Sequence, residues 1–347
     1  MRRSFFITMN NEQQLNNWRK SALDFESQIN KIVIGQKPVV RNLLIAVFAR
    51  GHVLLEGAVG VGKTTLLRAV AQGLGGNYQR IEGTIDLMPA DLTYYTYLDR
   101  SAKPQVDPGP LLTHGEQLST FFFNEINRAR PQVHSLLLRV MAERSVSAFN
   151  QEYRLPHIQV FADRNRVERE ETFELPAAAR DRFLMEINMD APEEGNLLEE
   201  LMFNPRYHNV DKLVDEIPSG LLPYYQLNEI AGLVQQTVTA SAALRRYALM
   251  LWQATYAPQN FGIRLPDVEM TQLIQSGASP RGMSYLIRAA KAKAWLENRT
   301  VLYPEDLQAM FKPVLQHRIF LQPMYAYRSS EIMPSLITDI LGAIAAP

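Results

Sequence analysis

The sequence predicts an α/β fold, a parallel sheet flanked by helices, followed by a C-terminal all-α domain. Three observations carry that expectation. Four short β-prone runs, at residues 52–56, 121–123, 154–162 and 183–189, alternate with helix-patterned segments. Strands separated in this way pair in parallel, with both sheet faces covered. A glycine-rich stretch, GAVGVGKTT, sits between the first run and the next helix pattern, and from Ala191 onward the texture is helix after helix.

Taken in order, the leader MRRSFFITMNNEQQ holds two arginines and an apolar run that stops at Asn10. That run is short of the roughly 7–15 apolar residues of a secretory signal, so the expectation is a frayed leader. Residues 11–31 are polar with Leu15, Trp18, Leu23, Phe25 and Ile29 interspersed, which reads as an amphipathic helix. After Ile32-Val33-Ile34, Gly35 and Pro38, residues 39–49 read as a buried helix. The run 52–56 ends at glycine, and a helix follows over about 64–74. Between the next two strands, Val133, Leu136, Leu137, Val140 and Met141 recur at helical spacing within 131–144.

In the second half, the loops NPRYH, IPSGLLPYY, APQN and SGASPR separate the helices. Ser279-Pro280 is a good helix start, with Ser at the cap and Pro where its missing N–H costs nothing. Met283, Leu286, Ile287, Ala290 and Ala294 then form one apolar face. Pro304-Glu305-Asp306 opens a further helix, its acids at the positive end. The expected division is a nucleotide-type domain over 1–190 and a helical domain over 191–347.

Composition narrows the function. The 347 residues carry 36 Lys+Arg against 36 Asp+Glu, without the basic excess of a protein that grips nucleic acid through many phosphates. There is no cysteine, which excludes disulfides, thiolate metal sites and thiol nucleophiles. No stretch reaches the roughly 18 apolar residues of a membrane span, so the expectation is a soluble cytoplasmic protein with no nucleic-acid partner. His317 beside Arg318 reads as a capping or core residue.

Gly57, Ala58, Val59, Gly60, Val61, Gly62, Lys63 and Thr64, with Thr65 following, complete the phosphate-loop pattern G-x-x-x-x-G-K-[ST]. The glycines let backbone N–H groups turn toward phosphate oxygens at a helix N-terminus, whose partial positive charge favours anions. Lys63 is the candidate for the β/γ-phosphates of ATP, and the Thr64 hydroxyl for Mg²⁺. The second strand runs into FFFNEINR, which places Glu125 to orient the attacking water as a general base. Asn124 stands where an Asp is usual. It can accept a hydrogen bond from a metal-bound water but brings no charge.

From about residue 31 to the C-terminus the chain resembles the MoxR branch of the AAA+ ATPases, neighbours of the magnesium-chelatase ATPase subunit. The resemblance rests on IGQKPVVRNLLIAVFARGHVLLEG, DLMPADLT, EINRARPQVHSLLLRVMAER, LP-AAARDRF, GASPR and the closing EIMPSLITDILGAIAAP. It implies a helical lid and Mg²⁺-dependent ATP hydrolysis in a ring, read as a hexamer because the finger comes from a neighbouring subunit. It implies that Ile34, Gly35 and Gln36 pack near adenine and that Asn165 is a polar sensor of the γ-phosphate. Arg182 resembles the arginine finger, and Arg281 the second sensor on a lid helix. Each arginine has a plainer alternative, as a solvated or paired surface residue.

The family also implies a client protein complex to be matured or activated, with von Willebrand factor A domain proteins as frequent partners. Metal or cofactor insertion, as in methanol dehydrogenase maturation, is among its roles. Two β-hairpin insertions are expected, at 93–107 and at 145–156 about an Asn-Gln tip. Tyr94, Tyr95 and Tyr97 are then candidates for client contact, or equally for packing beneath an insertion. One further departure stands out. Where relatives carry a small ATQNP-like turn, this chain has seven charged residues between Asp163 and Glu171. With Asn124, that loop keeps open a second reading, an assembly adaptor that binds ATP and hydrolyses it weakly.

Overall fold

The computed structural model describes residues 2–165 and 172–347, with side chains from residue 11 onward. The chain opens with helix α1 (Arg2–Ile32), followed by α2 (Lys37–Phe48), β1 (His52–Gly57), α3 (Lys63–Leu74) and β2 (Asn77–Glu82). A hairpin of β3 (Tyr94–Leu98) and β4 (Pro104–Pro108) precedes β5 (Leu118–Asn124) and α4 (Pro131–Glu143). A second hairpin, β6 (Ser145–Ala148) and β7 (Gln151–Arg154), leads to β8 (Gln159–Asn165), then α5 (Ala177–Arg180) and β9 (Phe183–Met189). The five strands β2, β5, β8, β1 and β9 form one sheet in that spatial order, and every pairing in it is parallel.

The remaining chain is almost wholly helical: α6 (Gly195–Phe203), α7 (Val210–Asp215), α8 (Leu227–Thr237) and α9 (Ala242–Tyr256). After the short β10 (Ile274–Ser276) come α10 (Pro280–Leu296) and α11 (Pro304–Leu315), then β11 (Phe320–Leu321), α12 (Pro323–Ala326) and α13 (Ser329–Ala343). Both expected starts are present. Ser279 caps α10 by accepting from the Gly282 N–H at 3.0 Å, and Asp306 accepts from the Tyr303 N–H at 2.9 Å. Asp306 is fully buried and also holds Arg299 and Lys293 at 2.6 and 3.0 Å, so the acid that starts α11 is neutralised where it lies. Arg50 and Arg144 both donate to Asn228 Oδ1, at 2.7 and 3.1 Å, fastening the sheet's N-terminal edge to α8.

Several expectations need correction. The leader is helical from Arg2 rather than frayed; residues 2–10 contain neither Gly nor Pro to stop the helix. The buried face of α1 runs Leu15, Trp18, Ala22, Phe25, Ile29, Ile32, a three-four spacing in which Ala22 takes the place given to Leu23. Strand β2 was not visible in the sequence because it is a half-exposed edge strand of mostly polar residues. The tip of the second hairpin is Phe149-Asn150, both at positive φ (52° and 58°), one residue earlier than the expected Asn-Gln. Two left-handed residues are what a two-residue hairpin turn requires.

His52 lies wholly inside this packing. Its Nδ1 accepts from the Val160 N–H at 2.9 Å and its Nε2 donates to Met141 O at 3.1 Å. Burial, then the nearby Arg144, pushes its pKa down to about 3. His317 is a core residue, 1% exposed, and burial likewise holds it well below the ordinary 6.5. Both stay neutral in the folded chain, whereas the unfolded chain takes up protons below about 6.5. Their contribution to stability is therefore complete above pH 6.5 and falls away as the pH drops toward 3. The urea midpoint should decline steadily from pH 7 to pH 5. A flat profile over that range would show that neither imidazole differs between the folded and unfolded states.

Candidate nucleotide site

Strand β1 lies between β8 and β9, so its C-terminal end delivers the glycine-rich loop to the middle of the sheet edge. Gly57 passes so close to β9 that a Cβ there would lie 2.1 Å from Met189 O. Gly60 and Gly62 have φ of 81° and 92°, the left-handed region that glycine enters without steric penalty. Ala58 and Val59 are exposed, Val61 is half-buried, and α3 starts at Lys63 with no side-chain cap on its free amides. Thr64 and Thr65 sit half-exposed on that first turn. An uncapped helix N-terminus behind left-handed glycines is a cradle that fits phosphate.

Lys63 is 7% exposed. Its ammonium donates to Gly57 O and Ala58 O, both at 3.1 Å, and to Asn165 Oδ1 at 2.8 Å. It also meets Asp163 Oδ2 at 3.4 Å. Asn165 in turn donates through Nδ2 to Glu125 Oε1 at 3.2 Å. Three of the candidate residues, on three separate elements, are thus one hydrogen-bonded chain.

Glu125 follows the end of β5 in a left-handed conformation, φ 52° and ψ 50°. For a residue other than glycine this stores on the order of 1–3 kcal/mol and needs the surroundings to hold it. They do so at both ends of the residue. Its N–H donates to Asp163 Oδ1 at 2.7 Å, and its Oε2 accepts from Arg128 at 3.0 Å. Asn124 is buried, and its carboxamide NH₂ donates to Glu82 Oε1 on the neighbouring strand. Oxygen donors of this kind, the Thr64 hydroxyl with the Asp163 and Glu125 carboxylates, fit Mg²⁺.

Sequence reasoning missed Glu82, Arg128 and Asp163. A signal for Asp163 existed: Phe161, Asp163 and Asn165 share one face of a strand by period-two alternation. It was hidden because strand β8 continues to Asn165, past the boundary at 162 that the apolar run marked. The rest of the charged stretch, 166–171, lies outside the described residues.

The other candidates form separate groups. Gln36 Nε2 donates to Asp190 O at 2.6 Å, and a Cβ on Gly35, at φ 76°, would lie 2.5 Å from Pro192 Cγ. Gly35 and Gln36 therefore pack where the chain leaves β9, with Ile34 half-buried just before them. Arg182 donates to Ala178 O at 2.7 Å. Beside it, Asp181 accepts from Ser279 Oγ at 2.6 Å and pairs with Arg281 at 2.9 Å and Arg318 at 3.1 Å. The structure thus brings Arg281 to Asp181, the residue before Arg182. Among the described residues, neither arginine forms a hydrogen bond or ion pair with the Lys63 group.

Comparison with known proteins decides what kind of site this is. Residues 52–185 match the profile of the ATPase family associated with various cellular activities (AAA), and residues 270–336 match an AAA lid domain. A protein named MoxR from Methylorubrum extorquens is 57% identical to this chain over 97% of its length and 98% of the relative's. The chain belongs to the MoxR family of AAA+ ATPases. A more distant MoxR relative, named chaperone MoxR1, from Mycobacterium tuberculosis, is 32% identical over 92% of this chain and 81% of its own. The crystal structure of a protein assigned as an ATPase from Cytophaga hutchinsonii superposes with a TM-score of 0.83 at 28% identity, covering 98% of this chain and 99% of that one. MoxR membership makes the chain an ATPase and ATP its nucleotide. No helix among the described residues is long and apolar enough to cross a membrane.

Proposed function

We propose that this chain is a Mg²⁺-dependent ATPase that works as a cytoplasmic hexameric ring and remodels, matures or activates a client protein complex. The observation that carries it is the hydrogen-bonded chain Lys63–Asn165–Glu125 at the head of an uncapped, glycine-led helix. In this reading residues 1–190 hold the nucleotide and 191–347 form the lid. Ile34 and Gly35 flank the adenine, and the loop amides from Gly57 to Thr65 take the phosphates with Lys63. Thr64 ligates the metal, and Asn124 takes part through water. Bound Mg²⁺ would offset the charge that develops on the transferred phosphoryl group. Glu125 orients the attacking water, and Asn165 holds both Glu125 and the γ-phosphate. Arg182 reaches the ATP of the next subunit, and Arg281, tied to it through Asp181, reports lid position.

Ring assembly draws support from surface that a lone chain leaves uncovered. Helix α6 buries none of its residues and ends on Met202 and Phe203, 63% and 75% exposed. For client contact, the first hairpin exposes Tyr95, Tyr97 and Leu98, whereas Tyr94 stacks on Phe149 of the second hairpin at 5.2 Å between ring centroids. A von Willebrand factor A domain protein is the proposed co-factor protein, and metal or cofactor insertion, as in methanol dehydrogenase maturation, the proposed task. No nucleic-acid partner is proposed. The adaptor reading keeps one supporting observation, the uncharged Asn124 engaged by Glu82.

Analytical ultracentrifugation with ATP and Mg²⁺ tests the ring, with turnover measured on the same sample. A hexamer that hydrolyses ATP is the expected result. A monomer under every nucleotide condition would remove the ring, and a hexamer without turnover would favour the adaptor.

A further inference from the structure

Strands β2, β5 and β8 carry one lateral row of polar residues at the edge that faces the phosphate loop. Glu82 pairs in register with Asn124, and Asp163 follows one step after the pair Phe123 and Ala162. Residues at matching positions on adjacent parallel strands project to the same face. The row therefore reads carboxylate, carboxamide, carboxylate. Asn124 gives its NH₂ to Glu82, and Asp163, 2% exposed, lies toward Lys63 at 3.4 Å.

We propose that Asp163 is the positioning residue that supplies the charge Asn124 lacks, accepting hydrogen bonds from water bound to the nucleotide's Mg²⁺. The partners of its two oxygens carry this. Oδ1 is committed to the Glu125 N–H at 2.7 Å. Oδ2 faces Lys63, and Lys63 is also the group that binds phosphate. When phosphate draws the ammonium away, Oδ2 is left as a buried anion, which is costly unless a cation or a hydrogen-bond donor replaces the lysine. Lys63 and Thr64 are consecutive on the first turn of α3, so a metal ion held by Thr64 would lie on the same helix turn as the lysine that Asp163 faces. The same geometry explains the carboxamide. An Asp at position 124 would stand between Glu82 and Asp163 as a third adjacent carboxylate, and like charges so placed repel.

The inference rests on the proposed Mg²⁺–nucleotide site, and the test separates the two. Binding of methylanthraniloyl-labelled ADP is followed first in EDTA and then across a Mg²⁺ titration, for the parent, Asp163→Asn, Asn124→Asp and the swap Asn124→Asp/Asp163→Asn. Failure of the parent to bind in EDTA or Mg²⁺ would overturn the site itself. With the site intact, Asp163→Asn should bind the probe in EDTA but need about 10–100-fold more Mg²⁺ for its effect, the usual loss when an outer-shell partner of a metal is removed. Asn124→Asp alone should bring no gain in Mg²⁺ affinity. The swap keeps charge and volume, and should return the Mg²⁺ midpoint to near the parent's. If Asp163→Asn does not fold, as judged by circular dichroism, the swap decides alone. An unmoved Mg²⁺ midpoint in Asp163→Asn would overturn the proposal, as would a swap no better than that variant. Equal losses in EDTA and in Mg²⁺ would make Asp163 only a strut for Lys63 and Glu125, and would overturn it too.

Discussion

Arg182→Ala should lower ATP turnover by about 1,000- to 100,000-fold, the range that arginine fingers contribute in phosphoryl transfer, with ATP binding almost intact. The size of the effect follows from where the guanidinium is. Its hydrogen bond is to Ala178 O, one turn back along its own chain, so it contributes nothing to holding Lys63, Asn165 or Glu125. Fluorescent-nucleotide titration should show unchanged affinity while a coupled assay shows the loss. The trans assignment has its own check. Subunits carrying Arg182→Ala, mixed with subunits carrying Lys63→Ala, can pair one intact loop with one intact finger at a shared interface. Activity should return in the mixture in proportion to such interfaces. If both variants fold and assemble but mixing restores nothing, Arg182 does not act on a neighbour.

What the sequence made legible here was what local chemistry fixes. The phosphate loop was readable because only glycine fits the 2.1 Å approach at position 57, and glycine enters the positive φ of 60 and 62 without steric penalty. The cap at Ser279 and the acidic helix start at Asp306 were readable because both act within one turn of the chain. Long-range partnerships were not. Nothing in RDRF singles out Asp181, yet it joins Arg281 and Arg318 over separations of 100 and 137 residues. Glu82 became relevant only when β2 paired beside β5, and that strand carries too few apolar residues to announce itself. Leu23 and Ala22 could be told apart only by knowing which side of α1 meets α2 and α3.

The same distinction between local and distant constraint shapes the expectation for Glu125→Gln. Turnover should fall by about 100- to 10,000-fold, the usual worth of a general base, and ATP should remain bound and hold the ring together. Gln preserves the volume and the acceptor for Asn165 but gives up the charge facing Arg128. The left-handed turn at 125 should survive, since of its two anchors the substitution weakens only the side chain's pairing with Arg128 and leaves the residue's own N–H on Asp163 Oδ1. Loss of activity would then report chemistry and not unfolding. Single-turnover quench measurements read the first quantity, and native mass spectrometry of an unquenched aliquot reads bound nucleotide and the proposed ring together. Should Glu125→Gln cleave ATP as fast as the parent, the base must be another carboxylate within reach of the same water. Asp163 is the group next to it: burial raises its pKa against the pull of the Glu125 amide and Lys63, and a higher pKa makes a carboxylate a better proton acceptor. That outcome would move Asp163 from positioning residue to base, and the Mg²⁺ midpoint of Asp163→Asn would then stay where the parent's is.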